Sequence, residues 1–193
     1  VCEMTDVYGE GAVLSVCNTG FDAFMLESIV ALLNGRTIVF PGPEELESPE
    51  MLASLMKGYR VGSIHITPSR MGAFMKSPAF CHAARRLESI VCGGEAFPQE
   101  LLRILKKHTR ARIYNQYGPS ETTVAVSLKE LSGSGKITAG RPMGNCRIYI
   151  LDCFMNPVPI GSLGHVYIGG KCVGRGYRNE KELTDQVFGM NPF

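Results

Sequence analysis

Short apolar runs alternate with amphipathic stretches over the first two thirds of the chain. The apolar runs predict five strands, at residues 12–17, 36–40, 61–66, 89–92 and 111–114. Apolar residues at helical spacing predict helices over 23–33, from Pro49 onward after the cap residue Ser48, and over 98–108. This alternation of strands and helices predicts an α/β fold, in which helices flank a mainly parallel sheet from residue 1 to about 133.

The pattern changes after Leu131. Residues 132–136 are Ser, Gly and Lys, a composition that predicts a flexible connection. The rest of the chain favours strands separated by turns, most clearly at 146–151 and 165–168. We therefore predict a second, smaller β-rich unit, a partial barrel, over 137–193. Because the sequence has no initiator Met, we expect a piece of a longer protein in which this unit is truncated.

Composition disfavours several classes of partner. Hydrophobic residues make up 45% of the chain and charged residues 20%, which is typical of a globular protein. A net charge of +2 is too small to indicate a nucleic acid or an anionic membrane. No apolar run approaches the roughly 18 residues of a membrane span. The 7 cysteines are odd in number and form no Cys-x-x-Cys pair, which disfavours disulfides and zinc and favours a reducing, cytoplasmic location.

The stretch Asn-Gln-Tyr-Gly-Pro-Ser-Glu-Thr-Thr at 115–123 carries the most chemistry. Tyr117 offers a ring on which a purine can stack, Ser120 a hydroxyl for phosphate, and Glu121 a carboxylate of the kind that Mg²⁺ takes. An ordinary turn with a capped helix start is the alternative. Ligands bind beyond the carboxyl ends of parallel strands. Three loops that follow predicted strands are therefore expected at one edge of the sheet, at 67–69, 93–96 and 115–121.

This stretch resembles the Asn-x-Tyr-Gly-Pro-Ser/Thr-Glu signature of the acyl-adenylate-forming enzymes, in the form seen in adenylation domains of nonribosomal peptide synthetases. Three other segments are similar to motifs of the same family, in the same order. Residues 21–35 resemble its substrate-recognition helix, 91–96 its nucleotide-side loop, and 164–184 a later core motif. The resemblance therefore spans almost the whole chain.

The resemblance implies a reaction in which an amino acid carboxylate attacks the α-phosphate of ATP, and the acyl group then passes to the phosphopantetheine thiol of a peptidyl carrier protein. It implies that Glu121 ligates Mg²⁺ and that Ser120 contacts phosphate, as the two catalytic residues. The residues implied for ATP or AMP binding are Gly94, Glu95, Ala96, Asn115, Gln116, Tyr117, Gly118, Pro119 and Ser120.

The resemblance also implies an amino acid pocket, in which Asp22 pairs with the substrate's α-ammonium. The residues implied for this pocket are Asp22, Ala23, Leu26, His65, Val91, Gly93, Gln116, Val124 and Ala125. His65 and Gln116 are the polar members of its side-chain end, so the pocket implies a medium or large side chain with a polar end. Two alternatives stay open, namely that Asp22 only caps its helix and that His65 is only a core histidine.

Two other functions are alternatives at this point. An acyl- or aryl-CoA ligase of the same superfamily shares the loop at 117–121 but has no ammonium for Asp22 to pair with. A nucleotide-binding module without chemistry is the other alternative. The resemblance places the family's phosphate loop before Val1, and its ribose-binding aspartate and catalytic lysine after Phe193. We therefore expect the chain alone to be inactive.

Overall fold

A seven-stranded sheet forms the centre of the molecule. The computed structural model describes residues 7–133 and 135–193, and the strand order in the large sheet is β2-β1-β3-β4-β5-β6-β7. The first five strands in this order are parallel, while β6 and β7 are antiparallel to their neighbours. The strands are β1 (Ala12–Leu14), β2 (Ile38–Val39), β3 (Val61–Ile66), β4 (Ser89–Gly93), β5 (Arg112–Tyr117), β6 (Ser127–Glu130) and β7 (Arg141–Pro142).

Helices cover both faces of this sheet, and several of them begin at a proline. A proline at the first helical position costs no hydrogen bond, because that N–H has no partner within the helix. Ser48 caps one such helix, since its Oγ accepts from the Met51 N–H at 3.3 Å. The α-helices are Ala31–Leu33, Pro43–Glu47, Pro49–Gly58, Pro68–Phe74, Pro78–Ala84, Gln99–His108 and Lys181–Val187; a π-helix, Leu26–Val30, runs directly into the first of them.

Each face of the sheet has its own hydrophobic core. Ile64, Ile90 and Ile113 are buried on one face, in the larger core, which also contains residues of the helices Pro49–Gly58 and Gln99–His108. On the other face Val13, Val91 and Tyr114 pack with residues of the π-helix and of Ala31–Leu33. Side chains alternate between faces along a strand, so both cores are built from the same strands.

A separate two-stranded antiparallel sheet follows, formed by β8 (Cys146–Leu151) and β9 (His165–Gly170). The predicted α/β class with a smaller β-rich part is confirmed. The large sheet continues through Arg141–Pro142, past residue 137, where the sequence places the second unit. The division into two domains stays a prediction. Within the described residues, no helix combines the length and the apolar character needed to cross a membrane.

Several predicted boundaries were wrong. β1 and β2 are shorter than the runs at 12–17 and 36–40, because pairing with neighbouring strands extends only over Ala12–Leu14 and Ile38–Val39. Residues 115–117 belong to β5 rather than to a loop, since they pair with β6, a short polar strand that the hydrophobic pattern missed. The segment 67–69 is the start of the helix Pro68–Phe74, which Thr67 caps. The start of the helical segment after Asp22 has no side-chain cap, and the Asp22 carbonyl accepts from the Met25 N–H.

Candidate active site

The floor of the candidate site is one face of the sheet at the carboxyl ends of β3, β4 and β5. His65 pairs in register with Val91, and Gly93 pairs with Gln116. Because side chains alternate along each strand, all four positions lie on the same face as Tyr114, the face that the π-helix covers. Register and alternation therefore bring together four residues that are far apart in the sequence.

A cavity of about 460 Å³ lies between this floor and the start of the helical segment, and we call it the helix-side cavity. Asp22, Ala23 and Leu26 line it from the helical segment, and Val124 lines it from the loop after β5. Every residue that the resemblance implies for the amino acid pocket lines this cavity except Ala125. Asp22 is half-buried, as expected for a residue in the wall of a concave site.

Glu27 fastens the helical segment to the end of β1. Its side chain is fully buried, and its Oε2 accepts from the Ser15 hydroxyl at 2.8 Å and from the Cys17 N–H at 2.9 Å. Burial raises the pKa of the Glu27 carboxyl, and the hydrogen bonds from Cys17 and Ser15 only partly oppose this. The contact holds the segment that carries Asp22 and Leu26 against the edge of the sheet.

His65 is the most unusual polar group in the helix-side cavity. Its side chain is buried, and neither ring nitrogen has a hydrogen-bond partner among the described residues. Its ring stacks on Tyr8, with centroids 5.3 Å apart and an interplanar angle of 27°. Tyr8 is fixed in turn, because its hydroxyl donates to the Leu26 carbonyl at 2.6 Å. Burial lowers the pKa of His65 to about 4, so the imidazole is neutral at pH 7.

A second cavity, of about 440 Å³, adjoins the first, and we call it the loop-side cavity. Its lining includes every residue that the resemblance implies for the nucleotide except Ser120, which is exposed. The Tyr117 side chain is 41% exposed, so its ring is open to stacking. The Asn115 side chain is held by the segment that precedes β7, since its Nδ2 donates to the Thr138 carbonyl at 2.9 Å. Four residues line both cavities, namely Gly94, Glu95, Gln116 and Gly118.

The loop after β5 folds back onto Gly118. Thr123 and Val124 have φ values of 60° and 72°, in the left-handed region that such residues rarely adopt. A Cβ at Gly118 would lie 2.5 Å from the Val124 carbonyl oxygen, so only glycine fits at this place. The close approach is what brings Val124 to the helix-side cavity.

Residues 172–177 hold Glu121 and Thr123 through three hydrogen bonds. The Tyr177 hydroxyl donates to Glu121 Oε1, and the Gly174 N–H donates to the Glu121 carbonyl at 2.7 Å. The hydrogen bond from Tyr177 lowers the pKa of the Glu121 carboxyl and raises the pKa of the Tyr177 hydroxyl. The Thr123 hydroxyl adds a bond to the Cys172 carbonyl, at 2.7 Å. Sequence reasoning missed Tyr177, because the contact joins residues 56 positions apart.

The surroundings of Glu121 fit Mg²⁺ only together with a phosphate ligand. The described residues contain no group of three or more His, Cys, Asp or Glu side chains that could hold a metal ion. Mg²⁺ commonly binds through one or two carboxylates and completes its shell with substrate phosphates and water. Glu121 lines a cavity of about 470 Å³ that shares Tyr117 and Pro119 with the loop-side cavity. A single ionised carboxylate beside the loop-side cavity suits that mode of binding.

Other cavity residues were not predicted from the sequence. Cys17 follows β1 and lines the helix-side cavity, so the rule that loops after parallel strands share an edge could have found it. Arg70 also lines this cavity. Its Nη1 donates to the Val16 carbonyl at 2.6 Å and its Nη2 to the Leu46 carbonyl at 3.2 Å. These contacts leave no signal in the sequence.

Comparison with known proteins agrees with this arrangement. Residues 2–178 match the family described as AMP-binding enzyme. Tyrocidine synthase 3 of Brevibacillus parabrevis is 35% identical over 193 residues, which cover 97% of this chain and 3% of that protein. Vanchrobactin synthetase VabF of Vibrio anguillarum is 33% identical over 196 residues, with 95% of this chain and 7% of that protein covered. The chain thus spans a small part of these relatives' length.

A solved structure extends the similarity to three dimensions. A four-domain nonribosomal peptide synthetase bound to AMP and glycine matches with a TM-score of 0.87 and 28% identity, over 98% of this chain and 14% of that chain. The resemblance first indicated by residues 115–123 is therefore confirmed. The chain belongs to the AMP-binding enzyme family, in the form found in the adenylation domains of nonribosomal peptide synthetases.

Proposed function

We propose that this chain is the central part of a domain that activates an amino acid as its adenylate. An oxygen of the amino acid carboxylate attacks the α-phosphate of ATP, pyrophosphate leaves with the bonding electrons, and an aminoacyl-AMP remains. The observation that carries the proposal is the pair of adjoining cavities, which share Gly94, Gln116 and Gly118. Two ligands that meet at that shared boundary bring a carboxylate and an α-phosphate together, and positioning of this kind supplies much of catalysis.

The helix-side cavity binds the amino acid in this proposal. Asp22 pairs with the α-ammonium, since it is the carboxylate that the helical segment contributes to the lining. The sheet residues His65, Val91 and Gly93 face the side chain. The similarity to a synthetase bound to AMP and glycine supports this division between an amino acid and a nucleotide.

The loop-side cavity binds the adenosine part of ATP. Tyr117 stacks on the adenine, because its ring is exposed at this cavity, and Asn115 contributes to the wall beside it. Ser120 contacts phosphate and Glu121 ligates Mg²⁺, which neutralises phosphate charge when it is bound. Ala125 supports Val124 rather than lining the cavity itself. Tyr177 is a positioning residue, because it acts through Glu121.

The partners follow from the same reaction. The thiol of a peptidyl carrier protein attacks the acyl carbon of the aminoacyl-AMP and displaces AMP, which leaves an aminoacyl thioester. The similarity to a multidomain nonribosomal peptide synthetase supports a carrier partner. We propose a cytoplasmic location, which the odd number of cysteines without a Cys-x-x-Cys pair supports.

Mass spectrometry of the reaction products tests the proposal. The full-length protein is incubated with ATP, Mg²⁺ and a panel of amino acids, beside aryl and fatty acids that have no amine. An aminoacyl-AMP from one or a few amino acids is the expected product. An adenylate formed only from acids without an amine supports the alternative, an acyl- or aryl-CoA ligase. No adenylate from any acid supports a nucleotide-binding module without chemistry.

A further inference from the structure

We propose that the side-chain end of the helix-side cavity selects an amino acid whose side chain ends in a neutral group that both donates and accepts hydrogen bonds, a hydroxyl or a carboxamide. This inference rests on the proposed function, and it names the substrate class of the same cavity. It follows from buried polar atoms without partners on two residues that line the cavity.

Three buried polar atoms of residues that line the cavity have no hydrogen-bond partner among the described residues. They are Nδ1 and Nε2 of His65 and Nε2 of Gln116. Both side chains are buried, at 4% and 8% exposure, and both line the helix-side cavity. A buried polar atom without a partner is rare and costs free energy, so several of them in one cavity indicate that a ligand completes them.

The chemistry of these atoms defines the ligand group. A neutral imidazole has one nitrogen that donates and one that accepts, and the Gln116 Nε2 donates. The His65 ring cannot turn freely to find a partner elsewhere, because it stacks on Tyr8. A matching side chain must therefore accept from a donor and also donate to the free imidazole nitrogen. Hydroxyl and carboxamide groups do both.

Other side-chain classes match less well. An apolar side chain leaves all three atoms unpaired, and an ammonium cannot accept from the Gln116 N–H. A carboxylate cannot donate to the imidazole nitrogen, and its burial as a charge needs a cation. Arg70 is the guanidinium in the lining, and its Nη1 and Nη2 already donate to backbone carbonyls. The carboxylates of Asp22 and Glu95 in the same lining oppose a further negative charge.

ATP–pyrophosphate exchange by the full-length protein tests this inference with matched pairs of amino acids. The pairs are Tyr and Phe, Gln and Glu, Gln and Met, Asn and Leu, and Thr and Val, together with hydroxylated and unsubstituted aryl acids. We expect the best substrate to be a hydroxyl or carboxamide member, with kcat/KM roughly 10²-fold or more above its apolar or charged counterpart. The shift in Tm that each compound causes at saturation is the second readout.

Two variants assign the preference to the named atoms. Gln116→Met and His65→Phe keep the approximate shape but remove the polar atoms, and we expect each to lower the ratio of polar to apolar kcat/KM by about 10-fold or more. The thermal stability of the free protein should not fall, because each substitution removes a buried polar atom without a partner. Gln99→Met and His82→Phe are matched controls at positions outside the cavity.

The outcomes separate the two proposals. The inference is overturned if the best substrate has an apolar or charged side chain, or if neither variant changes the ratio of polar to apolar kcat/KM. Either result leaves the proposed activation of an amino acid unaffected. Exchange only with acids that have no amine overturns the proposed function. In that case the difference in kcat/KM between hydroxylated and unsubstituted aryl acids still tests the preference for a polar end group. If no compound gives either exchange or a Tm shift, both the proposed function and the inference are overturned.

Discussion

Gly118→Ala is the substitution for which the structure gives the most definite cost. The added Cβ would lie 2.5 Å from the Val124 carbonyl oxygen, 2.7 Å from the Ala125 Cα and 2.9 Å from the Ala125 N. All three contacts are with backbone atoms, whereas carbon atoms pack best at about 3.5–4.0 Å. No side-chain rotation can relieve the clash, so the backbone at Val124 must move by roughly 1 Å.

Overpacking of this kind costs about 1–3 kcal/mol. For a domain of roughly 150–250 residues, that cost lowers Tm by about 2–12 °C. The function should change as well, because Gly118 lines both cavities and Val124 lines the helix-side cavity. A displacement of about 1 Å near reacting groups can reduce the rate by roughly 10²-fold. We therefore expect weaker binding of both the amino acid and AMP.

Thermal unfolding and the two binding affinities, measured on the same variant, check this prediction. Gly72→Ala is the matched control, since a Cβ there meets nothing within 4 Å and the residue lies inside the helix Pro68–Phe74. It should stabilise the protein by about 0.5–1 kcal/mol. If Gly118→Ala unfolds at the wild-type temperature and binds both ligands normally, the close approach of Val124 to Gly118 has no role in shaping the site.

Three further substitutions test other contacts. Glu27→Gln removes a carboxyl whose folded-state pKa lies above its ordinary value of 4.5. The stability of the wild type should therefore fall relative to that of the variant as pH rises from about 4.5 toward 7. Denaturant titrations across this pH range measure the difference, and parallel pH profiles contradict the prediction. Tyr177→Phe should raise the pKa of Glu121 toward its ordinary value, as measured by ¹³C NMR titration, and should increase the Mg²⁺ concentration needed for half-maximal exchange. An unmoved Glu121 titration argues against the hydrogen bond in solution. Tyr117→Ala should weaken AMP binding by about 1–3 kcal/mol through lost stacking, whereas an unaltered AMP affinity in calorimetry rules that role out.

The hydrophobic pattern predicts β3 and β8 with their observed ends, but it misses the short strands β6 and β7. β3 was predicted with its observed ends, Val61–Ile66, because every residue in it is buried and three of its six residues are hydrophobic. β6, Ser127–Glu130, carries one apolar residue, and its place in the sheet depends on pairing with β5 rather than on its own composition. Such a strand gives no periodic signal, because one apolar residue in four sets up no alternation of apolar and polar positions.

In the candidate site too, local sequence motifs predict some features, whereas contacts between distant segments are not predicted. Motif resemblance assigns Asp22, His65 and Gln116 to one cavity, and the register of β3, β4 and β5 explains why His65 and Gln116 meet there. It does not reveal that Tyr8 stacks on His65, nor that Tyr177 holds Glu121, since both contacts depend on how distant segments pack. Contacts between segments this far apart in the sequence follow from tertiary structure, and no local propensity encodes them.

The most direct test of the account compares one amino acid with its analogue that lacks the α-amine, in ATP–pyrophosphate exchange by the full-length protein and its Asp22→Ala variant. The account predicts exchange with the amino acid, little with the analogue, and a loss of roughly 3–5 kcal/mol in amino acid binding for the variant, with ATP affinity nearly unchanged. Equal exchange with both compounds, or an Asp22→Ala variant that binds the amino acid as the wild type does, contradicts the assignment of this cavity to an amino acid.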